Sequence, residues 1–246
     1  MRRVFLLFFV MMVLPSVGMA TGSEDVGVNW SVDAGFLGKK VLSGGLNVYD
    51  EPFFKTVLTA NLSNGYVLDV YHSTALQGAC LENSKCGSVQ EWDAEVGKLW
   101  KIKPAYSVLG MVSYFVIGDR VRKNSYQVRS KIGHDLGEGL PVVYADVKWI
   151  DLVGDQQQGG FITHFGLEGT WKITPQFSVP AWADVTHDGL PFEENGFLAR
   201  FGFLLRYNLS SKYIIGVGVN GHHLVSNFTD RRDEVVPRIE LQILIQ

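Results

Sequence analysis

The chain has 246 residues, with 22 basic against 25 acidic side chains, 46% hydrophobic and 19% charged residues. That mild acidity gives no electrostatic footprint for nucleic acid, which is therefore not an expected partner. After the first residues no apolar run reaches the roughly 20 residues of a spanning helix, so a membrane form of this chain has to be a closed barrel, the other structure that satisfies every backbone group in lipid.

The opening reads as a secretion signal. Met1-Arg2-Arg3 is a short basic region, Val4 to Leu14 is unbroken apolar, and Gly18-Met19-Ala20 is a small-x-small cleavage site. Residues 1–20 are expected to be this signal and residues 21–246 a single barrel domain. Loss of Arg2 and Arg3 leaves 20 basic against 25 acidic residues, a net charge of about −5. No cysteine follows the cleavage site, so a lipoprotein anchor is not expected.

About twelve segments alternate in the two-residue rhythm of a strand, an even number as bacterial barrels require. In chain order they are Val26–Leu37, Phe53–Leu62, Tyr66–Ser73, Val89–Lys101, Tyr106–Ile117, Ser125–Gly133, Leu140–Leu152, Phe161–Ile173, Gln176–Thr186, Phe197–Leu209, Lys212–His222 and Val235–Ile245. The rhythm is plainest in the tenth, where Phe197, Ala199, Phe201, Phe203, Leu205, Tyr207 and Leu209 alternate with Arg200, Gly202, Arg206 and Asn208. One face suits lipid; the other accepts charge, glycine and water. The expected fold is all-β, a transmembrane antiparallel up-and-down barrel.

Short and long connections alternate. Ser63-Asn64-Gly65, Ile102 to Ala105, His134 to Gly139, Thr174-Pro175 and Ser210-Ser211 are short, and Asn-Gly is a strong hairpin signal. Val41 to Pro52, Thr74 to Ser88, Gly118 to Asn124, Val153 to Gly160, His187 to Gly196 and His223 to Glu234 are longer. Short periplasmic turns opposite longer outer loops match an outer-membrane barrel. Aromatics flank the short turns on the outward parity: Trp100 with Tyr106, Trp171 with Phe177, Tyr207 with Tyr213. Amphipathic rings settle at the membrane interface, so these read as a periplasmic girdle. Lys98 breaks the outward pattern beside Trp100, where it can snorkel. Pro237 is expected near the rim.

Cys80 and Cys86 stand in a polar, glycine-flanked stretch of the long connection Thr74 to Ser88. In an exported chain they read as a small disulfide loop. A cysteine pair can also hold metal, but no histidine is close in sequence.

If the apolar parity faces lipid, the opposite parity lines the lumen. Its charged members are Asp33, Asp69, Glu91, Asp93, Glu95, Arg129, Lys131, Asp146, Lys148, Glu168, Lys172, Asp184, Arg200, Arg206, Arg238 and Glu240. Such groups are costly in a dry core without partners and reasonable in a wet lumen. Asp33, Asp69, Glu91, Asp93 and Glu95 are expected to form an acidic wall. Arg129, Lys131, Arg200, Arg206 and Arg238 are expected to form a basic one, and charged walls set ion preference. The competing reading is that these charges pair into a salt-bridged plug. About twelve strands lies between the roughly eight that give a filled interior and the 16–18 of an aqueous channel.

Catalysis is not expected. His222-His223-Leu224-Val225-Ser226-Asn227 holds histidine and serine in a polar loop, without the spacing of an outer-membrane lipid hydrolase. His72, His134, His164 and His187 are scattered and show no metal-ligand spacing. His187-Asp188 and Glu193-Glu194 share an acidic loop that could attract Ca²⁺ but reads as solvated charge. No metal or cofactor is expected.

Several short motifs carry a resemblance: Trp30-Ser31-Val32-Asp33, then Lys39-Lys40-Val41-Leu42-Ser43-Gly44-Gly45, the paired-cysteine loop, and Glu91-Trp92-Asp93-Ala94-Glu95-Val96-Gly97. In these and in its layout the chain resembles the TorF-type porins of proteobacteria. The resemblance implies an exported outer-membrane channel and carries over no defined substrate site. The terminal residue departs from usual barrel practice, since Gln246 stands where the assembly machinery reads an aromatic. The expected function is passive diffusion of small hydrophilic solutes or ions, with outer-membrane lipid and the barrel-assembly machinery as partners. The alternatives are a plugged barrel with structural or adhesive loops and, behind it, an outer-membrane lipid hydrolase. The sequence leaves oligomeric state open.

Overall fold

The structure, a computed structural model, describes residues 27–38, 40–41, 47–49, 52–75, 90–117, 125–152, 159–189, 196–226 and 233–245. The expected signal, Cys80, Cys86 and Glu193-Glu194 lie outside the described residues. Among those described, every element is a strand. In chain order they are β1 (Val28–Leu37), β2 (Lys40–Val41), β3 (Asn47–Tyr49), β4 (Phe53–Leu62), β5 (Tyr66–Ala75), β6 (Gln90–Lys103), β7 (Tyr106–Ile117), β8 (Ser125–Asp135), β9 (Val142–Leu152), β10 (Gly160–Lys172), β11 (Phe177–Gly189), β12 (Gly196–Asn208), β13 (Tyr213–Leu224) and β14 (Glu234–Ile245).

Twelve of these close into one antiparallel ring in the order β1-β14-β13-β12-β11-β10-β9-β8-β7-β6-β5-β4. Each long strand pairs with its neighbours in sequence, and β1 closes the ring by facing β4 on one side and β14 on the other. Trp30 stands opposite Ala60 in the first ladder and Ile245 in the second. Closure leaves no edge strand with unpaired backbone groups, the condition for a sheet in hydrocarbon. The remaining two strands, β2 and β3, form a separate small ribbon in the connection between β1 and β4.

The short turns are built as their sequences require. In the turn between β4 and β5, Gly65 takes φ 87°, its N–H donates to the Leu62 carbonyl at 2.9 Å, and the Tyr66 N–H donates to Asn64 Oδ1 at 3.3 Å. A left-handed residue there matches the twist of the two strands. The Thr174 hydroxyl accepts from the Phe177 N–H at 3.0 Å, and the Ser210 hydroxyl from the Tyr213 N–H at 3.3 Å. Hydroxyls of this kind satisfy turn donors locally.

Two differences from the sequence reading have physical causes. Ile102 and Lys103 were expected in a turn but belong to β6, which reaches Lys103 through a register irregularity between Lys101 and Lys103. A bulge absorbs the extra residue before Pro104. β11 runs on to Gly189, past the expected end at Thr186, because Phe161 and Ile162 of β10 continue to pair with Gly189 and Asp188. Pro237 is the fourth residue of β14. Its carbonyl accepts from the Gly38 N–H at 3.1 Å, just past the end of β1.

The outer surface is apolar and exposed. Phe165 is 64% exposed, Val217 57% and Phe203 47%. An exposed belt of this kind running round a molecule has no place in water; against acyl chains it is the ordinary lipid face of a membrane barrel. Rings gather where the short turns lie. Phe177 and Tyr207 meet with centroids 4.8 Å apart, Tyr106 stacks on His134 at 4.4 Å, and Trp171 Nε1 donates to the Gly139 carbonyl at 3.1 Å. Lys98, on the same face, holds its ammonium 4.4 Å from the centre of the Tyr66 ring.

Candidate functional site on the inner face

Strand parity and register place all sixteen charged residues of the inward set on the inner face. What the strand pattern alone did not give is who meets whom. On the arc from β8 to β12 the bases reach acids one or two strands away. Arg129 Nε donates to Asp146 Oδ1 at 2.9 Å, and Lys131 Nζ to Glu168 Oε2 at 2.5 Å. Arg200 grips Asp184 with two bonds, Nε to Oδ1 at 2.9 Å and Nη2 to Oδ2 at 2.7 Å. The bidentate fork fixes geometry as well as charge.

Asp184 is the hub of this arc. It also accepts from the Tyr144 hydroxyl at 2.7 Å and the Thr186 hydroxyl at 2.9 Å. His164 lies beside it, with Nδ1 2.8 Å from Arg200 Nη2. The same Nδ1 lies 2.6 Å from Thr186 Oγ1, so the guanidinium, which only donates, and the hydroxyl meet on one ring nitrogen. Arg200 also lies 5.4 Å from the centre of the Trp182 ring.

On β14 and β4, Glu240 accepts from Lys55 at 2.6 Å and Arg238 at 2.5 Å, and Arg238 donates to Asn220 Oδ1 at 3.1 Å. Asp33 lies within electrostatic reach of Glu240, Lys55 and Arg206. The acids of β5 and β6 are set differently. Register puts Asp69 directly opposite Glu95, a like-charge pair that costs stability in a sheet. Glu91 accepts from the Ser73 hydroxyl at 3.4 Å. Of the residues expected to form a basic wall, Arg129, Lys131, Arg200 and Arg238 are each held by a carboxylate; Arg206 stands opposite Ser178 and Gly216.

Accessibility changes along the barrel axis. Toward the long connections the inner face is closed: Ser73, Thr186, Asp188 and Leu198 are 0% exposed and Ile162 1%. Toward the short turns Asn61, Lys101, Thr170 and Lys172 are exposed.

His222 is inward and buried, opposite Arg200 and Glu234 in register. His223 faces outward at the rim, its Nδ1 2.6 Å from Asp233 Oδ2. The Leu224 N–H, donating to Asp233 at 2.8 Å, and then the His223 ring hold that carboxyl below the usual aspartate range. The Ser226 hydroxyl accepts from the Phe197 N–H at 2.8 Å. His187 lies on the outer face against Phe197, centroids 4.8 Å apart, while Asp188 points inward and is buried. Among the described residues no three His, Cys, Asp or Glu side chains are grouped to hold a metal ion.

His164 is the residue that sequence reading passed over. Its parity with Ile162 and Glu168, opposite to Phe161 and Phe165, already placed it inward; it was set aside because no metal-ligand spacing surrounds it.

These features define a class by architecture: a twelve-stranded, closed, up-and-down barrel with a lipid-suited exterior and a charged interior. Solved structures share this fold. A KdgM porin in complex with disordered oligogalacturonate aligns with TM-score 0.61 at 10% identity, over 88% of this chain and 99% of that one. An outer membrane channel from Pseudomonas putida F1 aligns with TM-score 0.56 at 11% identity, over 92% and 98%. The translocator domain of the autotransporter NalP from Neisseria meningitidis aligns with TM-score 0.56 at 10% identity, over 98% and 95%. Neither a family model nor a curated protein sequence matches the chain.

Proposed function

We propose that the protein is a bacterial outer-membrane channel, of the TorF type its motifs resemble, for passive diffusion of small hydrophilic solutes or ions. One observation carries this reading: a closed barrel turns an apolar exterior to lipid and carries more than sixteen charged side chains on its inner face. Charge at such density is costly unless it is paired or water reaches it, and a hydrated, charged lumen is a pathway whose width and field select what passes. The porin and channel among the similar structures support the reading; the NalP domain is a reminder that one barrel shape serves several tasks. The acidic residues Asp33, Asp69, Glu91, Asp93 and Glu95 and the basic residues Arg129, Lys131, Arg200, Arg206 and Arg238 line the pathway in this proposal.

A second reading has its own observation. The inner face is closed toward the long connections, where Thr186, Asp188 and Leu198 are fully buried. A barrel sealed there would serve structurally or through its loops. Reconstitution in a planar bilayer decides. Discrete conductance steps, with a nonzero reversal potential in a salt gradient, are the expected result. A folded and inserted barrel that passes no current would refute the channel and leave the sealed scaffold.

A further inference from the structure

The arc from β8 to β12 carries four cations near mid-strand, Arg129, Lys131, Lys148 and Arg200, and they are not equally provided for; Lys131 is held by Glu168. Arg129 is held by Asp146 and Arg200 by Asp184. Lys148 has no hydrogen bond or ion pair among the described residues. Register puts it directly opposite Arg129, a like-charge pairing that costs stability unless something intervenes. Its electrostatic neighbours are Arg129, Asp146, Arg200 and Glu95. Two of these are cations, Asp146 is already engaged by Arg129, and Glu95 stands three strands away on β6.

A second, independent observation lies next to it. His164, on the neighbouring strand β10, is 3% exposed and is among the electrostatic neighbours of Lys148. Its Nδ1 is taken up by Arg200 and Thr186, and its buried Nε2 has no partner. Buried donors without acceptors are rare and costly. An unpaired ammonium and an unpartnered ring nitrogen, a donor in its Nε2–H tautomer, lie on adjacent strands, and a negatively charged acceptor satisfies both.

We propose that Lys148 and His164 form an anion-binding station on the inner wall, taking the carboxylate or phosphate group of a hydrophilic solute. The proposal rests on the channel reading only for delivery of that solute. Lys148 supplies the charge and His164 Nε2 a directional donor. Glu95 opposes anion entry and sets how weak, and therefore how releasable, the station is; a site on a conduction path has to release what it binds.

The test uses the refolded full barrel in detergent with inorganic phosphate as probe, read by phosphorus NMR line broadening, beside planar-bilayer recordings of the same preparations. Saturable broadening is expected, weakened about tenfold or more in Lys148→Met, weakened less in Lys148→Arg, and strengthened in Glu95→Gln. Lys172→Met, at the exposed end of β10, is expected to behave as wild type. Correct folding of each variant is checked by heat-modifiable gel mobility, and Lys148→Arg keeps the test decisive if Lys148→Met fails to fold. Broadening that is absent, or equal in wild type and a folded Lys148→Met, overturns the station. The recordings separate the two readings. Conductance steps with no phosphate effect tied to Lys148 leave the channel standing and remove the station. Broadening tied to Lys148 without conductance removes the channel and leaves the station.

Discussion

Replacing Phe165 with arginine tests the lipid-facing surface most directly. Phe165 is 64% exposed on the outward face of β10, with Phe161 at one end of the same outward row and Trp171 at the other. Strand rise is about 3.3 Å per residue, and barrel strands tilt about 40°. Phe161 and Trp171 are therefore about 25 Å apart along the membrane normal, the height of the apolar band of an outer-membrane barrel. Phe165 falls about 15 Å from Trp171, within a few ångströms of the midplane. Arginine at that depth costs about 2–4 kcal/mol, falling to about 0–1 near the interface. Phe165→Arg is thus expected to lower the unfolding free energy by about 2–4 kcal/mol, and Phe161→Arg by about 1 kcal/mol or less. Both are read by guanidinium unfolding of the barrel in phospholipid liposomes, followed by tryptophan fluorescence. The two share residue type, strand and face, and differ in depth. Equal costs, or no cost at Phe165, would refute the assignment of this face to the hydrocarbon.

Three further outcomes are expected. Asp184→Asn strips the fork from Arg200 and the charge from the Tyr144 and Thr186 bonds, so the unfolding free energy in the same titration should fall by about 1–3 kcal/mol. An unchanged midpoint would deny Asp184 its role as hub. Arg206→Glu, at a position whose register neighbours are Ser178 and Gly216, is expected to move the reversal potential in a potassium chloride gradient toward cation preference; an unmoved potential removes Arg206 from the conducting surface. Asp233 is held below the ordinary aspartate value of 3.8 by the Leu224 N–H and the His223 ring. The stabilisation it lends the end of β13 is therefore present above that value and lost as pH falls through the lower folded one. The Leu224 amide resonance should stay fixed down to about pH 4 and shift only in stronger acid; movement at higher pH would mean the clasp is not formed.

Much of the fold was legible because two-residue alternation is a strong signal where one face meets lipid. Phe53–Leu62 and Tyr106–Ile117 were read with the bounds that the structure gives. The β2–β3 ribbon was missed because a strand of two or three residues is too short to show alternation. The interior was legible as a face but not as a network. Parity says that Arg129 points inward; it does not say that Arg129 stands opposite Lys148 and reaches diagonally to Asp146, because register between strands depends on turn lengths and bulges. His164 shows the same limit. Its partner is a guanidinium that lies 36 positions along the chain and two strands round the ring, and no local spacing encodes such a partner.

The seam between β1 and β14 makes the barrel a structure that exists whole or not at all. The two strands that seal it are separated by about 200 residues of chain, so the first strand waits with one side unpaired until the last arrives. During that interval the growing sheet has two open edges, which lipid cannot accept and which invite pairing with other chains. Insertion and closure therefore have to be coupled events, and β14, although it is the last to be delivered, decides whether everything before it becomes a membrane protein or an aggregate.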